Sequence, residues 1–145
     1  MIILITGNDS KKKEGFSETL SELVLARYIS ETNSKDSVTD PSRRSTTDLV
    51  RLILMSGEDV VLNTEDDLVT AFPKYWNLSR KLNIPLKVLS LSFQYGSSYF
   101  EKAAIPKSSF YLKLDPRTLS IDDMLEVTLK HLNNFTKTTA VLQSY

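Results

Sequence analysis

The sequence predicts an α/β fold, a three-layer sandwich in which a mostly parallel five-stranded sheet lies between layers of helices. Short apolar runs without polar alternation, such as residues 2–6 and 60–63, are typical of strands that are buried on both faces of a parallel sheet. These runs alternate with longer segments of helical periodicity. That order along the chain places helices on both faces of the sheet.

The first half of the chain is predicted to hold two strands and two helices. A helix from 17 to about 30 is indicated by apolar residues at helical spacing, with Ser17 as its N-cap. A very short strand is placed at 36–40, before a proline that excludes the preceding residue from helical geometry. A second helix covers 44–55 and ends at a Ser-Gly pair.

The second half continues the alternation. Pro73 is expected to break or restart the third helix, and Ser120 is expected to cap the last one. The predicted elements are a strand at 60–63, a helix at 67–82, strands at 86–92 and 110–114, and a helix from 121 to about 135. Residues 1–135 therefore form the expected single domain, and residues 136–145 the expected C-terminal tail or added edge strand.

Composition excludes several classes of function. Eighteen basic and eighteen acidic residues leave no net charge, which argues against a general nucleic-acid or membrane surface. The absence of cysteine removes disulfides, thiolate nucleophiles and cysteine metal sites. No apolar stretch approaches the length that crosses a bilayer. We therefore expect a soluble, cytoplasmic protein.

The loop after the first strand has the layout of a phosphate-binding loop. An apolar strand, a glycine, a lysine-rich loop and a helical pattern follow one another, as in chains that bind phosphate at a helix N-terminus. Counted from Gly7, the motif lysine falls at Lys13, but Lys12 replaces the second glycine and Glu14 replaces the hydroxyl residue that binds magnesium. A shifted register through Gly15 and Ser17 lacks the lysine. Both registers are degenerate.

Five segments together resemble the small P-loop kinases, most closely the polynucleotide-kinase-like branch. They are the opening Ile-Ile-Leu-Ile-Thr-Gly with its lysine loop, the Thr-Asp-Pro-Ser-Arg-Arg stretch at 39–44, the strand and turn at 56–64, the helix, turn and strand at 75–89, and, as the fifth, the lid-like stretch at 102–106 with the strand-end stretch at 114–123. The similarity extends to about residue 135.

This resemblance implies a set of site residues and, if the protein is an active kinase, ATP and Mg²⁺ as its cofactors. Asp40 would be the catalytic base, Lys13 would contact the transferred phosphoryl group, and Asp66 would be a weak metal ligand. The acceptor would be bound by Arg43, Arg44, Asn63 and Thr64. The nucleotide phosphates would be bound by Gly7, Ser10, Lys11, Lys12, Lys13, Gly15, Ser17 and Arg117.

Other interpretations of these residues remain open. The lysines also fit a solvated loop, Asp40 with Pro41 is a common helix entry, and the acidic residues near Asp66 also fit a helix cap. Asn63 stands where the family has an aspartate, and residues 94–100 contain no lid arginine. Phosphoryl transfer depends on positioning and charge neutralisation, so these departures weaken the case for activity more than the case for the fold.

Three hypotheses follow from the sequence. The first is a kinase-like protein that has lost phosphoryl transfer and acts as a binding or regulatory module for a nucleotide, a nucleic acid or a protein. The second is an active nucleotide or polynucleotide kinase with a divergent loop. The third is an oligomeric structural or host-interaction protein that uses the tail and the loop at 95–100. We favour the first, and its small size and eroded motif suit a phage or mobile-element accessory protein.

Overall fold

A computed structural model describes residues 1–7, 10–31, 45–92 and 110–143, with the backbone alone for Ser10 and residues 133–143. The elements in chain order are β1 (Ile2–Gly7), α1 (Ser10–Leu23), β2 (Arg27–Glu31), α2 (Thr46–Met55), β3 (Val60–Thr64), α3 (Leu68–Leu82), β4 (Leu86–Leu91), β5 (Phe110–Leu114) and α4 (Ile121–Gln143).

The sheet has five strands in the order β2-β3-β1-β4-β5, and every neighbouring pair is parallel. The predicted fold class is therefore confirmed. β1 lies at the centre, with Ile3 opposite Val61 of β3 and Lys87 of β4. All five strands consequently end at the same edge of the sheet.

Side chains alternate between two hydrophobic cores, one on each face of the sheet. Ile2 and Leu4 of β1 pack with α2 and α3, together with the buried side chains of Phe72 and Tyr75. Residues Ile3 and Ile5 pack on the opposite face against α1 and α4, where the core includes Phe16, Leu20, Met124 and Leu125. Central strands that are buried on both faces account for the apolar runs in the sequence.

The first helix differs from its prediction. It begins at Ser10 and ends at Leu23, so Ser17 lies inside it and is not an N-cap. Leu25 reverses the chain with a φ of 57°, and the Ala26 N–H donates to the Ser21 carbonyl at 2.9 Å, which is a Schellman-type helix end. β2 then forms at 27–31, where a helix was expected, because these residues pair with β3. The strand expected at 36–40 lies outside the described residues.

The later elements agree better with their predictions. Ser45, Asp67 and Ser120 each accept a hydrogen bond from a backbone N–H three residues later, at the N-termini of α2, α3 and α4. Pro73 lies within α3, which continues through it without the expected break. α4 extends to Gln143 and not only to residue 135, so most of the expected tail continues this helix. None of the helices in the described ranges combines the length and the apolar character needed to cross a membrane.

Candidate functional site

The candidate site lies where β1 and β3 end beside the first turn of α1. Gly7 ends β1 with a φ of 149°, in a region that favours glycine. A Cβ atom built on Gly7 would lie 2.0 Å from the carbonyl oxygen of Leu91 on β4. Gly7 therefore allows the close approach of two backbones at the start of the loop.

Lys13 is the buried cation of this site. It is 2% exposed, and its Nζ donates to the Thr64 carbonyl at 2.6 Å and more weakly to the Gly7 carbonyl at 3.4 Å. Among the described residues no carboxylate forms an ion pair with it. Burial lowers the pKa of the Lys13 ammonium, and the nearby Glu65 charge opposes that effect. Its charge is thus compensated by carbonyl dipoles, which is an incomplete compensation for a buried ion.

The other side chains in the lysine run point to different partners. Lys11 is exposed, and Lys12 donates from Nζ to the carbonyl of Pro116 in the connection between β5 and α4. Glu14, in the position where the phosphate-loop motif has a metal-binding hydroxyl, is exposed. The first turn of α1 contains no acidic residue, so three lysine charges lie at the positive end of its helix dipole.

Gly15 and Ser17 lie farther along α1. Gly15 faces α4, where an added Cβ would lie 3.2 Å from Cδ1 of Ile121. Ser17 is fully buried, and its hydroxyl donates to the Lys13 carbonyl at 2.6 Å. The structure therefore places these two residues in helix packing and in a hydrogen bond within the helix.

A carboxylate at the end of β2 forms a second polar centre. Glu31 accepts hydrogen bonds from Thr64 Oγ1 at 3.0 Å and from the Tyr75 hydroxyl at 2.7 Å. Lys74 forms an ion pair with it at 3.5 Å. Thr64 thus connects the two centres, since its carbonyl binds Lys13 while its hydroxyl binds Glu31.

Asp66 lies beside this carboxylate. Its backbone N–H donates to Thr64 Oγ1 at 3.1 Å, and its side chain lies 3.8 Å from Lys74 Nζ. Burial and the negative charge of Glu31 raise the pKa of the Asp66 carboxyl group, while Lys74 opposes that rise. Within the described residues no group of three or more histidine, aspartate and glutamate side chains could hold a metal ion.

Asn63 lies on the α1 face of β3, one residue before Thr64. It is 7% exposed, and its Nδ2 donates to the Tyr28 hydroxyl at 3.2 Å. Its Oδ1 is buried and has no hydrogen-bond partner in the described part of the chain. A buried polar atom without a partner is uncommon and marks a place where a ligand or water would be stabilised.

Arg117 lies in the chain segment after β5. It follows Pro116, whose carbonyl accepts a hydrogen bond from Lys12. Its backbone N–H donates to Asp115 Oδ1 at 2.9 Å, and its guanidinium lies 3.5 Å from the same oxygen. The Arg117 backbone and side-chain hydrogen bonds lower the pKa of the partly exposed Asp115 carboxyl group. Arg117 is exposed and forms this local pair at the same end of the sheet.

The structure brings only part of the predicted site together. Lys13 and Thr64 are in direct contact, and Asn63 and Asp66 flank Thr64 on either side. Asp40, Arg43 and Arg44 lie outside the described residues, as does the loop at 95–100. Sequence reasoning missed the grouping of Glu31, Lys74 and Tyr75. The available signal was the alternating Arg-Tyr-Ile-Ser-Glu stretch, whose last residue falls at a strand end.

The parallel sheet in the order β2-β3-β1-β4-β5, with helices on both faces, is a P-loop kinase-like fold. No protein-family model and no curated protein matches the sequence. Solved structures do match, and the three described next each cover nearly the whole of both chains.

The crystal structure called APE1195 is 13% identical, with a TM-score of 0.64 and coverage of 92% of this chain and 95% of that chain. A gluconokinase from Sinorhizobium meliloti is 13% identical, with a TM-score of 0.60 and coverage of 99% and 97%. An APS kinase from Mycobacterium tuberculosis is 15% identical, with a TM-score of 0.58 and coverage of 91% and 96%. At these identities the likeness establishes the fold alone.

Proposed function

We propose that this protein binds a phosphate-bearing ligand of the nucleotide type at Lys13 and does not transfer a phosphoryl group. The observation that carries the proposal is the buried Lys13 ammonium, which has only carbonyl partners among the described residues and lies in the first turn of α1. A bound anion would add to the opposite charge that nearby Glu65 supplies. The likeness to small kinases supports a nucleotide as the source of that anion.

The electrostatics of α1 support anion binding. Three consecutive lysines at a helix N-terminus oppose the helix dipole, so they destabilise the empty protein. An anion at this terminus would interact favourably with the dipole, the free N–H groups and the lysine charges. This arrangement is a cost to stability that ligand binding would offset.

The surrounding side chains support the loss of transfer. Glu14 is an acid in the position of the magnesium-binding hydroxyl, and the Ser17 hydroxyl donates to a helix carbonyl. The Glu31 carboxylate already accepts hydrogen bonds from Thr64 and Tyr75 and pairs with Lys74. These engagements argue against Glu31 as a replacement for Asp40, the base predicted from the sequence.

Thermal unfolding with ATP, ADP and GTP, each with and without magnesium, tests the binding. A ligand at about one hundred times its dissociation constant should stabilise the protein by about 2.7 kcal/mol, which corresponds to roughly 5–10 °C for a domain of this size. Lys13→Met removes the charge, keeps most of the apolar stem of the side chain and should abolish the shift. Lys11→Met removes an exposed charge from the same helix turn and should reduce it only slightly.

The second candidate function is that of an active ATP-dependent nucleotide or polynucleotide kinase. The position of Lys13 favours it, because that is the lysine of the strict phosphate-loop register. It predicts magnesium-dependent consumption of ATP with nucleosides, nucleotides or 5′-hydroxyl oligonucleotides, and loss of that activity in Lys13→Met. We expect no turnover above the protein-free control, and turnover that depends on Lys13 would replace our proposal with this one.

A further inference from the structure

We propose that two copies of this chain associate through β2, with the two β2 strands antiparallel and the sheet continuing across a two-fold axis at Ile29. β2 is an edge strand, which pairs with β3 on one side and with no described strand on the other. The proposal is independent of ligand binding at Lys13. It rests on the backbone groups of this edge, on the order of its charges, and on the apolar flank of α2 beside it.

The outer side of β2 presents the backbone groups of Tyr28 and Ser30. The Arg27 N–H donates to the Asp59 carbonyl at 2.8 Å, on the β3 side. Alternate residues of a strand direct their N–H and carbonyl groups to the same side, so every second residue from Arg27 onward bonds to β3 and the two between them face outward. Within the described residues, no backbone hydrogen bond occupies these outward groups. Such an edge is a template for pairing with another strand.

An antiparallel pairing about Ile29 matches both the outward groups and the charges of the edge. Tyr28 of one copy then lies opposite Ser30 of the other, as a hydrogen-bonded pair on each side of the axis. Arg27 of one copy lies opposite Glu31 of the other, in a pair whose Cα atoms are only about 4.5 Å apart. Arg27 is exposed and Glu31 is half-buried. A shift of the pairing by two residues would separate these opposite charges, so they favour this register over its neighbours.

α2 has an apolar flank on the side of this edge. It packs on β2 and β3, and its Thr47 forms a side-chain hydrogen bond with Tyr75 of α3. At 3.6 residues per turn, Leu49 and Leu52 lie about 160° and 140° around α2 from Thr47, so they face away from α3. They are 44% and 42% exposed. The flank of α2 opposite to α3 therefore carries apolar surface beside the open edge of the sheet.

The spacing of the elements would bring the two copies of α2 into contact. Neighbouring strands lie about 4.8 Å apart. A helix axis midway between β2 and β3 lies about half of that spacing inside β2, so the axes of the two α2 helices would be about 10 Å apart across the seam. Packed helices have axes roughly 8–10 Å apart. The leucines of the two flanks would thus cover each other while the strands pair beneath them.

Analytical ultracentrifugation of the full chain over a range of concentrations tests the proposal. An interface of one short strand and one helix flank is small, so we expect a reversible dimer with a dissociation constant of about 1–100 µM. Ser30→Pro removes an outward N–H that β3 does not use and should weaken the dimer at least about tenfold. Ser30→Ala keeps this N–H and should dimerise like the wild type.

A second pair of variants tests the helix flank. Leu52→Glu places a charge in the α2 contact and should also weaken the dimer at least about tenfold. Val69→Glu places the same charge on α3, at a residue that is 37% exposed, and should leave the dimer unchanged. Both positions are on the surface, so the folded chain should tolerate either substitution.

Three results would overturn the proposal. The first is a monomer at every concentration up to about 200 µM, twice the weakest dissociation constant expected. The second is a dimer that Ser30→Pro or Leu52→Glu leaves unchanged, because its interface would then lie elsewhere. The third is hydrogen exchange of the Tyr28 and Ser30 N–H groups that does not slow as the wild-type dimer forms. This last measurement decides the proposal even if Ser30→Pro fails to fold.

Discussion

Removing the phenolic oxygen of Tyr75 tests how firmly the carboxylate at the end of β2 is held. Tyr75 is completely buried, and its hydroxyl donates to Glu31 Oε2 at 2.7 Å. A hydrogen bond to a charged group contributes about 1.5–3 kcal/mol. In Tyr75→Phe, Glu31 would retain Thr64 and Lys74, and its 12% exposed side chain would admit some water. We therefore expect a loss near the lower end of this range, about 1.5–2 kcal/mol.

Urea unfolding followed by circular dichroism measures this loss directly. The urea concentration at the midpoint of unfolding should fall, while the slope of the free energy of unfolding against urea stays the same, because the substitution removes one oxygen from a packed ring. The melting temperature should fall by roughly 3–8 °C, given about 2–4 °C per kcal/mol for a domain of this size. Tyr28→Phe is the matched control, because the Tyr28 hydroxyl bonds to the neutral amide of Asn63. That variant should lose only about 0.5–1 kcal/mol.

Two results would refute the reasoning. A loss below about 0.5 kcal/mol in Tyr75→Phe would show that the Glu31 carboxylate does not depend on the phenol. Equal losses in the two tyrosine variants would show that the charge of the acceptor adds nothing. In either case the polar centre of Glu31, Thr64 and Tyr75 would not be a strongly coupled unit.

Two further predictions concern the ends of α1. Leu25 is 90% exposed and adopts a φ of 57°, so Leu25→Gly removes about 1–2 kcal/mol of left-handed strain and adds about 0.5–1 kcal/mol of backbone entropy. We expect a net gain of about 0.5–1 kcal/mol in urea unfolding, and a smaller gain in the control Asn83→Gly, since asparagine tolerates its φ of 54° better. If Leu25→Gly gains no more stability than Asn83→Gly, the strain attributed to Leu25 is contradicted.

The second of these predictions is a dependence of stability on pH. Burial lowers the pKa of Lys13 in the folded protein, so the unfolded chain binds more protons at alkaline pH. The contribution of Lys13 to the free energy of unfolding should therefore rise as the pH approaches 10.5. The difference between wild type and Lys13→Met should move in favour of wild type over this range in urea titrations at several pH values, and a constant difference would count against a buried ammonium.

The sequence was most informative where one residue pattern allowed one structure. The apolar runs in β1, β3 and β4 could be buried only in a sheet covered on both faces, and the cap at Ser120 was predicted from its residue type. The prediction failed at the segment from Ser10 to Glu31. Leucine, alanine and tyrosine after residue 22 continue the helical spacing, and no glycine or proline marks the reversal at Leu25.

The candidate site was predicted only in part, for a related reason. The position of Lys13 follows from counting residues after Gly7, so the sequence identified it. The cluster around Glu31 depends on three elements that are distant in the chain, and on a strand that the sequence pattern concealed as helix. The roles predicted for Asp40, Arg43 and Arg44 stay predictions.

The sequence by itself determined the parallel α/β class, the buried character of the first strand and the position of Lys13 in the motif counted from Gly7, because local periodicity and spacing encode these features. Only the tertiary structure decided where α1 begins, that residues 27–31 join the sheet, and that Thr64 connects Lys13 with Glu31. Strand pairing with β3 supplies hydrogen bonds and burial that outweigh the helical preference of that segment, and such long-range contacts are not written in any short stretch of residues.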